Sequence, residues 1–523
     1  MVTCGPPALS GSRMLFNSHV FLFVFLPAAL LVYFGLGHHG RTREALFSLL
    51  AASLVFYGWW SAGYVLLLVA SLSFDYLLGA RIASLASVDR PRARRLLIAG
   101  LTIDLGLLAY FKYSGFLVEN LQALLGTHWD YVAPRLPLAI SFYTFQQVAY
   151  LVDCYRTGHR EPSVLRYGLF VTFFPHEIAG PLVNHREMLP QFAEPDVARP
   201  RSERLTVGLT CFFRGLFKKV AVADVVAQFA NPVFAAAAQG VPVGLVDGWV
   251  GAIAFSLQLY FDFSGYSDMA IGLAWMFNIR LPLNFDTPYR SASIVEFWRR
   301  WHISLSRFLR DYLYVALGGN RKGRVRRYVN LMLTMLLGGL WHGAGWNFIL
   351  WGGLHGALLV VTHMWTALRE RWGLAPLGQE GRWTRPLAIA ATYVAVVVAW
   401  VFFRAETLEG ALGVLRGMAG LADGAKTGLA FRAVWNDDLS GFFRAATKTG
   451  VLLAALPVVF LSGGLHRWMG PHNPALVDDT PQAFPASRWG WQPTPGQVLA
   501  CAAMAAVAIL RLSEVSEFIY YNF

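Results

Sequence analysis

Charged residues are scarce in this chain. Only 14% of its 523 residues are Asp, Glu, Lys or Arg, whereas 56% are hydrophobic and 15% are aromatic. A soluble chain of this length would need a charged surface over several domains, so the composition excludes that class and predicts a polytopic membrane protein. The formal net charge is +13. In a membrane protein such an excess is typical of cytoplasmic loops, which makes nucleic-acid binding a poor interpretation.

Cysteine pairs and several common motifs are also missing. Four cysteines lie far apart and match neither a CxxC pair nor a metal-ligand spacing, so we predict no disulfide and no metal site. No GxSxG motif is present, which argues against a hydrolase-like nucleophile in this chain. No repeat of 20 to 50 residues is visible either. That absence weighs against solenoids and, more weakly, against repeat-built transporters.

Long apolar runs, in contrast, are abundant. A run of about 17 to 25 apolar residues can cross the hydrocarbon core of a bilayer. The sequence predicts twelve such spans, near 15–36, 44–62, 63–85, 96–112, 136–154, 205–228, 246–280, 328–343, 345–368, 384–403, 446–464 and 497–513. Segment 114–126 is too short for a span, and segment 163–183 is broken by Pro and Gly, which favours a re-entrant element. The predicted fold class is therefore all-α and polytopic.

The basic residues set the predicted orientation. Clusters such as those within 90–95, 186–204 and 290–327 all fall on one side of this topology, and that side is expected to be cytoplasmic. Both termini are then extracytoplasmic. Residues 1–13 are predicted to be an extension, either disordered or upstream of a true start at Met14. Residues 14–523 are predicted to form one membrane domain.

A basic amphipathic stretch precedes the eighth span. Trp298, Trp301, Leu305 and Phe308 recur at spacings of three and four, which predicts one continuous helix lying along the cytoplasmic interface. His302 falls on the apolar edge of that helix. A simple membrane-surface anchor explains the same pattern.

His342 lies deep in the next span. At about 1.5 Å per residue it is roughly 20 Å along a helix that begins near Tyr328, in a bilayer about 30 Å thick. An ionisable group at that depth indicates function, although a neutral imidazole bonded between helices is the plainer alternative. Four glycines between positions 338 and 345 leave room for a substrate. Apolar surroundings favour the neutral imidazole, which can accept a proton from an attacking hydroxyl, as acyl transfer requires.

Three long motifs carry a resemblance to a known family. They are FDFSGYSDMAIGLAWMFNIRLPLNF (261–285), PYRSASIVEFWRRWHISLSRFLRDYLYVALGGNRKG (288–323) and NLMLTMLLGGLWHGAGWNFILWGGLHG (330–356). They resemble the bacterial alginate O-acetyltransferase branch of the membrane-bound O-acyltransferase (MBOAT) family. MLFNSHVFLFVFLP, FFPHEIAGPLV and the terminal FIYYNF are similar to that branch as well. The resemblance therefore covers nearly the whole chain from Met14.

The resemblance implies a fold and a reaction. It implies a ring of many helices around a tunnel, with re-entrant and interfacial helices, in the bacterial cytoplasmic (inner) membrane. His342 corresponds to the family's catalytic histidine, and His302 to a second polar position on the cytoplasmic side. The acetyl donor would be a cytoplasmic thioester, acetyl-CoA or an acyl carrier protein, with no permanently bound cofactor. The acetyl group would reach an extracytoplasmic serine-hydrolase-like partner, which modifies an exported polysaccharide such as alginate.

Further residues are weaker candidates for the same site. Those that could line the tunnel are His176, Asp262, Ser264, Asp268, Asn284, Trp301, Trp341 and Asn347. Asp262, Ser264, Asp268 and Asn284 could instead bind His302. Ordinary contacts between buried helices explain the polar members equally well. Arg321, Lys322 and Arg324 are predicted to steer an anionic donor, although a purely topological role explains them too.

The competing function is a transporter or channel for an acyl donor or a polysaccharide. Twelve spans and a basic cytoplasmic face fit that class as well. The absence of repeat symmetry and the presence of a histidine among glycines favour the enzyme. The sequence leaves the identity of the polysaccharide open.

Overall fold

The chain is almost wholly helical. The computed structural model describes residues 14–375, 383–432, 434, 439–477, 490–512 and 518–519, so the predicted extension 1–13 and the last residues of the aromatic tail lie outside the described part. Within it there are two strands of two residues each, β1 (Leu281–Pro282) and β2 (Ala475–Leu476). The α-helices are α1 (Leu26–His38), α2 (Thr42–Trp60), α3 (Ala62–Ala86), α4 (Arg90–Leu125), α5 (Ile140–Thr157), α6 (Val164–Thr172), α7 (Phe174–Glu177), α8 (His185–Phe192), α9 (Ser202–Phe217), α10 (Asp224–Ala238), α11 (Leu245–Met276), α12 (Ile294–Arg300), α13 (Ile303–Phe308), α14 (Gly323–His342), α15 (Trp346–Arg371), α16 (Thr384–Arg404), α17 (Leu408–Met418), α18 (Leu429–Arg432), α19 (Leu439–Leu461), α20 (Leu465–Met469) and α21 (Pro495–Leu510).

Seven helices in the described ranges are long and apolar enough to cross a membrane. They are Phe21–His38, Ala62–Ala86, Arg90–Leu125, Ser202–Ala238, Trp346–Arg371, Thr384–Arg404 and Arg444–Leu461. The predicted all-α membrane class is confirmed. Each of the twelve predicted apolar segments overlaps a helix in the described ranges, but α2, α5, α11, α14 and α21 do not meet the same criteria of length and hydropathy. The count of twelve spans stays a prediction.

Residues 114–125, which belong to the segment predicted to be too short for a span, form the end of α4, because this helix runs without a break from Arg90 to Leu125. This stretch contains no proline, and Gly115 alone lowers helix stability by only about 1 kcal/mol, so the helix continues.

Two compact units divide the chain. The first is formed by residues up to Phe111, by 134–209 and by 272–281. Phenylalanines dominate part of its core: the rings of Phe21, Phe56 and Phe174 lie 5.7 to 6.1 Å from one another, centroid to centroid. Residues 167–183, which include the break between α6 and α7, are buried throughout. Non-helical backbone enclosed by protein is the form in which a bilayer tolerates it.

The second unit is formed by residues 112–133, 210–271 and 282–523. In it α14 and α15 touch through their backbones. A Cβ added to Gly339 would lie 2.2 Å from the Phe348 carbonyl oxygen, and one added to Gly352 would lie 2.3 Å from the Met335 carbonyl oxygen. Only glycine permits so close a crossing, which is common between membrane helices.

Charged side chains join α9 and its π-helical continuation to α11 in the same unit. Lys219 contacts Asp262 at 2.7 Å, and Lys218 contacts Asp268 at 2.7 Å. Each aspartate is buried, so each needs such a partner. These carboxylates therefore connect two helices.

The predicted continuous amphipathic helix is wrong. α12 ends at Arg300, Trp301 is extended with ψ of 128°, and His302 is left-handed with φ of 44° before α13 begins. A regular helix would have kept a spacing of 3.6 residues through this point. Because of this break, the spacing of three and four residues does not predict the direction of the His302 side chain.

The glycine crossing can be tested with a matched pair of alanine variants. Gly352→Ala places a methyl group against the Met335 backbone, and such overpacking costs about 1–3 kcal/mol of stability. In Gly353→Ala the added methyl group contacts only the Leu336 Cδ2 atom, at 3.4 Å. Because alanine has the higher helix propensity, this variant should be as stable as the unaltered protein or slightly more stable. Thermal unfolding midpoints of the two purified variants should differ in that order. Equal midpoints would contradict a backbone crossing at Gly352.

Candidate functional site

Asn284 holds the turn that carries His302. The backbone N–H of Ile303 donates to the Asn284 carbonyl at 3.0 Å, and the Ser304 hydroxyl donates to Asn284 Oδ1 at 2.8 Å. The left-handed φ of His302 costs about 1–2 kcal/mol for a residue with a Cβ. The hydrogen bonds of Asn284, which is fully buried, offset that cost. The chain breaks its helix here because this asparagine provides partners for the turn.

The same asparagine defines the tautomer of His302. The backbone N–H of Ser304 points at Asn284 Oδ1 from 3.3 Å, which identifies that atom as the amide oxygen. An amide oxygen only accepts, so the His302 Nδ1 atom 3.2 Å away carries the hydrogen. Nε2 of His302 then carries the lone pair. On the other side, Asn284 Nδ2 donates to the Ser267 hydroxyl at 3.3 Å.

His342 is the last residue of α14. The chain leaves the helix through extended glycines at 343 and 345, and the His342 side chain is only 4% exposed. Aromatic rings surround it: Trp341, Trp351 and Phe403 lie 4.9, 5.0 and 5.4 Å from its centroid. Such a setting favours the neutral imidazole because it offers little solvation to a charge.

The two histidines lie side by side. Their ring centroids are 6.5 Å apart and their planes are inclined by 59°. The ring of Phe263 is 4.7 Å from His302, and Trp341 is 6.4 Å from it. Two imidazoles forty residues apart in sequence therefore share one buried aromatic environment.

Two donors from α4 bind the carbonyl end of α14. Lys112 Nζ donates to the Trp341 carbonyl, and the Tyr113 hydroxyl donates to the Leu340 carbonyl at 3.0 Å. The last carbonyls of a helix have no partners within the helix, so these contacts fix the end at which His342 sits. Sequence reasoning missed both residues. Lys112 is the last residue of the predicted span 96–112, and Tyr113 lies between that span and the short segment 114–126.

The other predicted site residues fall into three groups. Trp301 packs on Trp400 at 5.0 Å, and Asn347 Nδ2 donates to the Ala405 carbonyl at 2.8 Å. The polar groups of α11 predicted here face α9 and its continuation: Asp262 and Asp268 form the ion pairs described above, and Ser264 accepts from Lys218 at 3.3 Å. His176 belongs to the first unit, where its Nδ1 lies 3.3 Å from Gln146 Nε2.

A basic pocket of about 610 Å³ adjoins the elements that carry both histidines. Its wall includes Ile303, the neighbour of His302, and Met335, two helical turns before His342. Four arginines line it: Arg299, Arg307, Arg310 and Arg327. The predicted donor-steering residues Arg321, Lys322 and Arg324 are exposed and do not line it. A sequence signal was present for two of these arginines: Arg307 lies on the polar face of the predicted amphipathic helix, and Arg327 belongs to the basic loop 320–327, whose residues could steer an anionic donor.

In the described ranges, no three His, Cys, Asp or Glu side chains lie close enough together to bind a metal ion.

Known proteins match this chain over most of its length. The model of the MBOAT, membrane-bound O-acyltransferase family matches residues 155–382. The probable alginate O-acetylase AlgI of Pseudomonas putida is 39% identical over 527 residues, which cover 98% of this chain and all of that protein. The chain belongs to the membrane-bound O-acyltransferase family.

Other relatives carry related activities. The peptidoglycan O-acetyltransferase of Helicobacter pylori is 42% identical over 78% of this chain and 80% of its own length. The teichoic acid D-alanyltransferase of Streptococcus thermophilus is 29% identical over 51% of this chain and 68% of its own length. This MBOAT protein is therefore an acyltransferase. The activities of these relatives argue against the alternative of a transporter or channel.

The role of Asn284 in this MBOAT protein can be tested by stability. Asn284→Ala removes the side-chain oxygen that accepts from His302 Nδ1 and from the Ser304 hydroxyl. The loss of this buried acceptor lowers the free energy of unfolding by about 1–3 kcal/mol. Ser267→Ala, the matched control, removes only one long contact to the Asn284 amide. The unfolding midpoint of purified protein should fall clearly for Asn284→Ala and much less for Ser267→Ala. The reverse order would mean that the turn is held by other contacts.

Proposed function

We propose that this protein moves acetyl groups from a cytoplasmic thioester across the membrane for the O-acetylation of an exported, alginate-like polysaccharide, which a partner transferase on the outer side then carries out. The juxtaposition of His302 and His342 in one buried aromatic environment carries the proposal. The likeness to the Pseudomonas putida protein, a probable alginate O-acetylase, supports the acetyl group and the polysaccharide. The peptidoglycan O-acetyltransferase relative supports acetyl transfer to a glycan in general.

His342 is the proposed general base. The acceptor hydroxyl oxygen attacks the carbonyl carbon of the thioester, so that a C–O bond forms and the C–S bond breaks. His342 takes the proton from the hydroxyl and returns it to the leaving thiolate. A neutral imidazole is the form that this role needs, and the rings of Trp341, Trp351 and Phe403 favour that form.

His302 is the proposed orienting residue. Asn284 holds the hydrogen on Nδ1, so Nε2 of His302 carries the lone pair and is the proposed atom that accepts a hydrogen bond from the acceptor hydroxyl or relays its proton. This arrangement resembles the general pattern in which a polar partner fixes the tautomer of a functional histidine.

The basic pocket is the proposed donor site. Phosphate groups of acetyl-CoA, or of a carrier-protein prosthetic group, would meet its four arginines, while the thioester end reaches toward Ile303 and Met335. Exposed Arg321, Lys322 and Arg324 would attract the anionic donor before it binds. The proposed orientation places this basic face in the cytoplasm and both termini outside it, in the bacterial inner membrane. The proposed recipient on the outer side is a serine-hydrolase-like transferase partner.

The general-base assignment is tested by replacing His342. His342→Ala should lower acetyl transfer by about a hundredfold or more, because a positioned general base contributes about 10²–10⁴. The measurements are the acetyl content of the exported polysaccharide in cells with equal protein abundance, and turnover of acetyl-CoA by the purified protein in lipid discs. The control is His128→Ala, at an exposed position. Undiminished acetylation by His342→Ala would overturn the assignment.

Salt dependence separates donor binding from donor steering. Arg327→Gln, in the pocket, should raise the KM for acetyl-CoA about tenfold at both low and high ionic strength, since it removes a charge-assisted contact. Arg324→Gln, at an exposed position, should lower kcat/KM only at low ionic strength, because salt screens exposed charges beyond about 10 Å at 0.1 M. Arg94→Gln is the control for an unrelated exposed arginine. If Arg327→Gln had the same KM for acetyl-CoA as the unaltered protein at high ionic strength, the donor would not bind in this pocket.

A further inference from the structure

A second pocket in the second unit has two chemically different walls. Its volume is about 540 Å³, and it lies where α19, α20 and α21 approach α9. One wall is polar and basic, with Arg214, Arg467, Ser462 and Gln497. The other is apolar, and its members are Leu461, Trp468, Ala500, Cys501 and Met504. It shares no lining residue with the basic pocket beside the histidines.

The basic wall carries excess positive charge. Asp268 is shared by Arg214 at 3.0 Å and Lys218 at 2.7 Å, so these three groups sum to one net positive charge. Arg214 also lies over the Trp468 ring, 5.1 Å from its centroid. A cationic cluster with an apolar neighbour favours an anion.

Arg467 supports the same interpretation. Its closest approach to a carboxylate is long, 3.6 Å from Nη2 to Asp286 Oδ2, and its side chain is 36% exposed. Its Nε atom is buried and makes no hydrogen bond to any residue that the structure describes. An anionic oxygen at the pocket would give that donor a partner.

The position of the pocket identifies the class of anion. The candidate span at Arg444–Leu461 ends at the pocket, and Leu461 itself is 79% exposed. Ala500, Cys501 and Met504 lie on α21, a short apolar helix whose Leu499 and Leu510 are also exposed. Apolar side chains exposed on membrane helices face lipid, and a tryptophan beside the end of a span is typical of the headgroup level. The pocket therefore joins a headgroup-level cationic wall to a lipid-facing apolar wall.

We infer that this pocket binds an anionic phospholipid, with the phosphate of its headgroup between Arg214 and Arg467 and one acyl chain along Cys501 and Met504. Phosphatidylglycerol has the required chemistry: a phosphodiester with one negative charge, a small headgroup and apolar chains. Basic pockets between membrane helices bind such headgroups in general. The inference is independent of the acyl-transfer site, because it rests on other residues.

The test uses the purified full-length protein in detergent. Phosphatidylglycerol and phosphatidylcholine with identical acyl chains are titrated separately, and bound lipid is counted by native mass spectrometry while the unfolding midpoint is recorded. Phosphatidylglycerol should bind at lower concentration and raise the midpoint more than phosphatidylcholine does. Arg467→Gln should weaken phosphatidylglycerol binding about tenfold, the effect of one charge-assisted hydrogen bond. Arg416→Gln, at an exposed position outside the pocket, should leave it unchanged.

A second variant tests the apolar wall without touching the charges. Ala500→Trp fills that wall and should abolish the preference for phosphatidylglycerol while the lipid-free unfolding midpoint stays unchanged. Equal binding of both lipids by the unaltered protein would overturn the proposal. So would an equal midpoint shift with inorganic phosphate alone, which would indicate a small-anion site. A shift with an oligouronate and none with phosphatidylglycerol would assign the pocket to a glycan instead.

Discussion

The left-handed turn at His302 is the constraint on which the candidate site depends. A residue with a Cβ adopts that conformation only where its surroundings fix it, and here one buried asparagine does so. Asn284 accepts from the turn with both its backbone and its side-chain oxygen. The same contact breaks the helix, turns the imidazole inward and sets its tautomer.

The second constraint is the close crossing of α14 and α15. Gly339 and Gly352 let the two backbones touch, and Phe348 fills the space beside Gly343. With α14 held so tightly, its carbonyl end, bound by Lys112 and Tyr113, has little freedom. The position of His342 is therefore set by contacts of the α14 backbone. The proposed role of His342 as a general base that meets both a hydroxyl and a thioester would benefit from such positioning.

Periodicity and composition predicted the class of fold well and the local geometry poorly. Long apolar runs are a strong signal, since bilayer thickness sets their length, and the all-helical membrane class followed directly. The spacing of Trp298, Leu305 and Phe308 failed to predict the break at His302, because the partner that stabilises the break, Asn284, is some twenty residues earlier in the chain. The family resemblance pointed to the two histidines. Asn284 was one of four polar residues that the sequence analysis named as able to line the tunnel or bind His302, but periodicity gave no sign that it also holds the turn at His302.

Buried polar groups alone do not mark a functional site in this bundle. Asp262 and Asp268 were weaker candidates than His302 from sequence, and in the structure each is engaged by a lysine of the neighbouring helix. Ion pairs of that kind offset the desolvation cost of the buried carboxylate. The carboxylate is then engaged by its lysine partner and is a poorer candidate for proton transfer. A histidine differs because its neutral form can be buried without a counter-charge and still exchange a proton. Two such rings, set 6.5 Å apart among aromatic side chains, are therefore a better candidate for a reactive centre than the charged contacts that join helices.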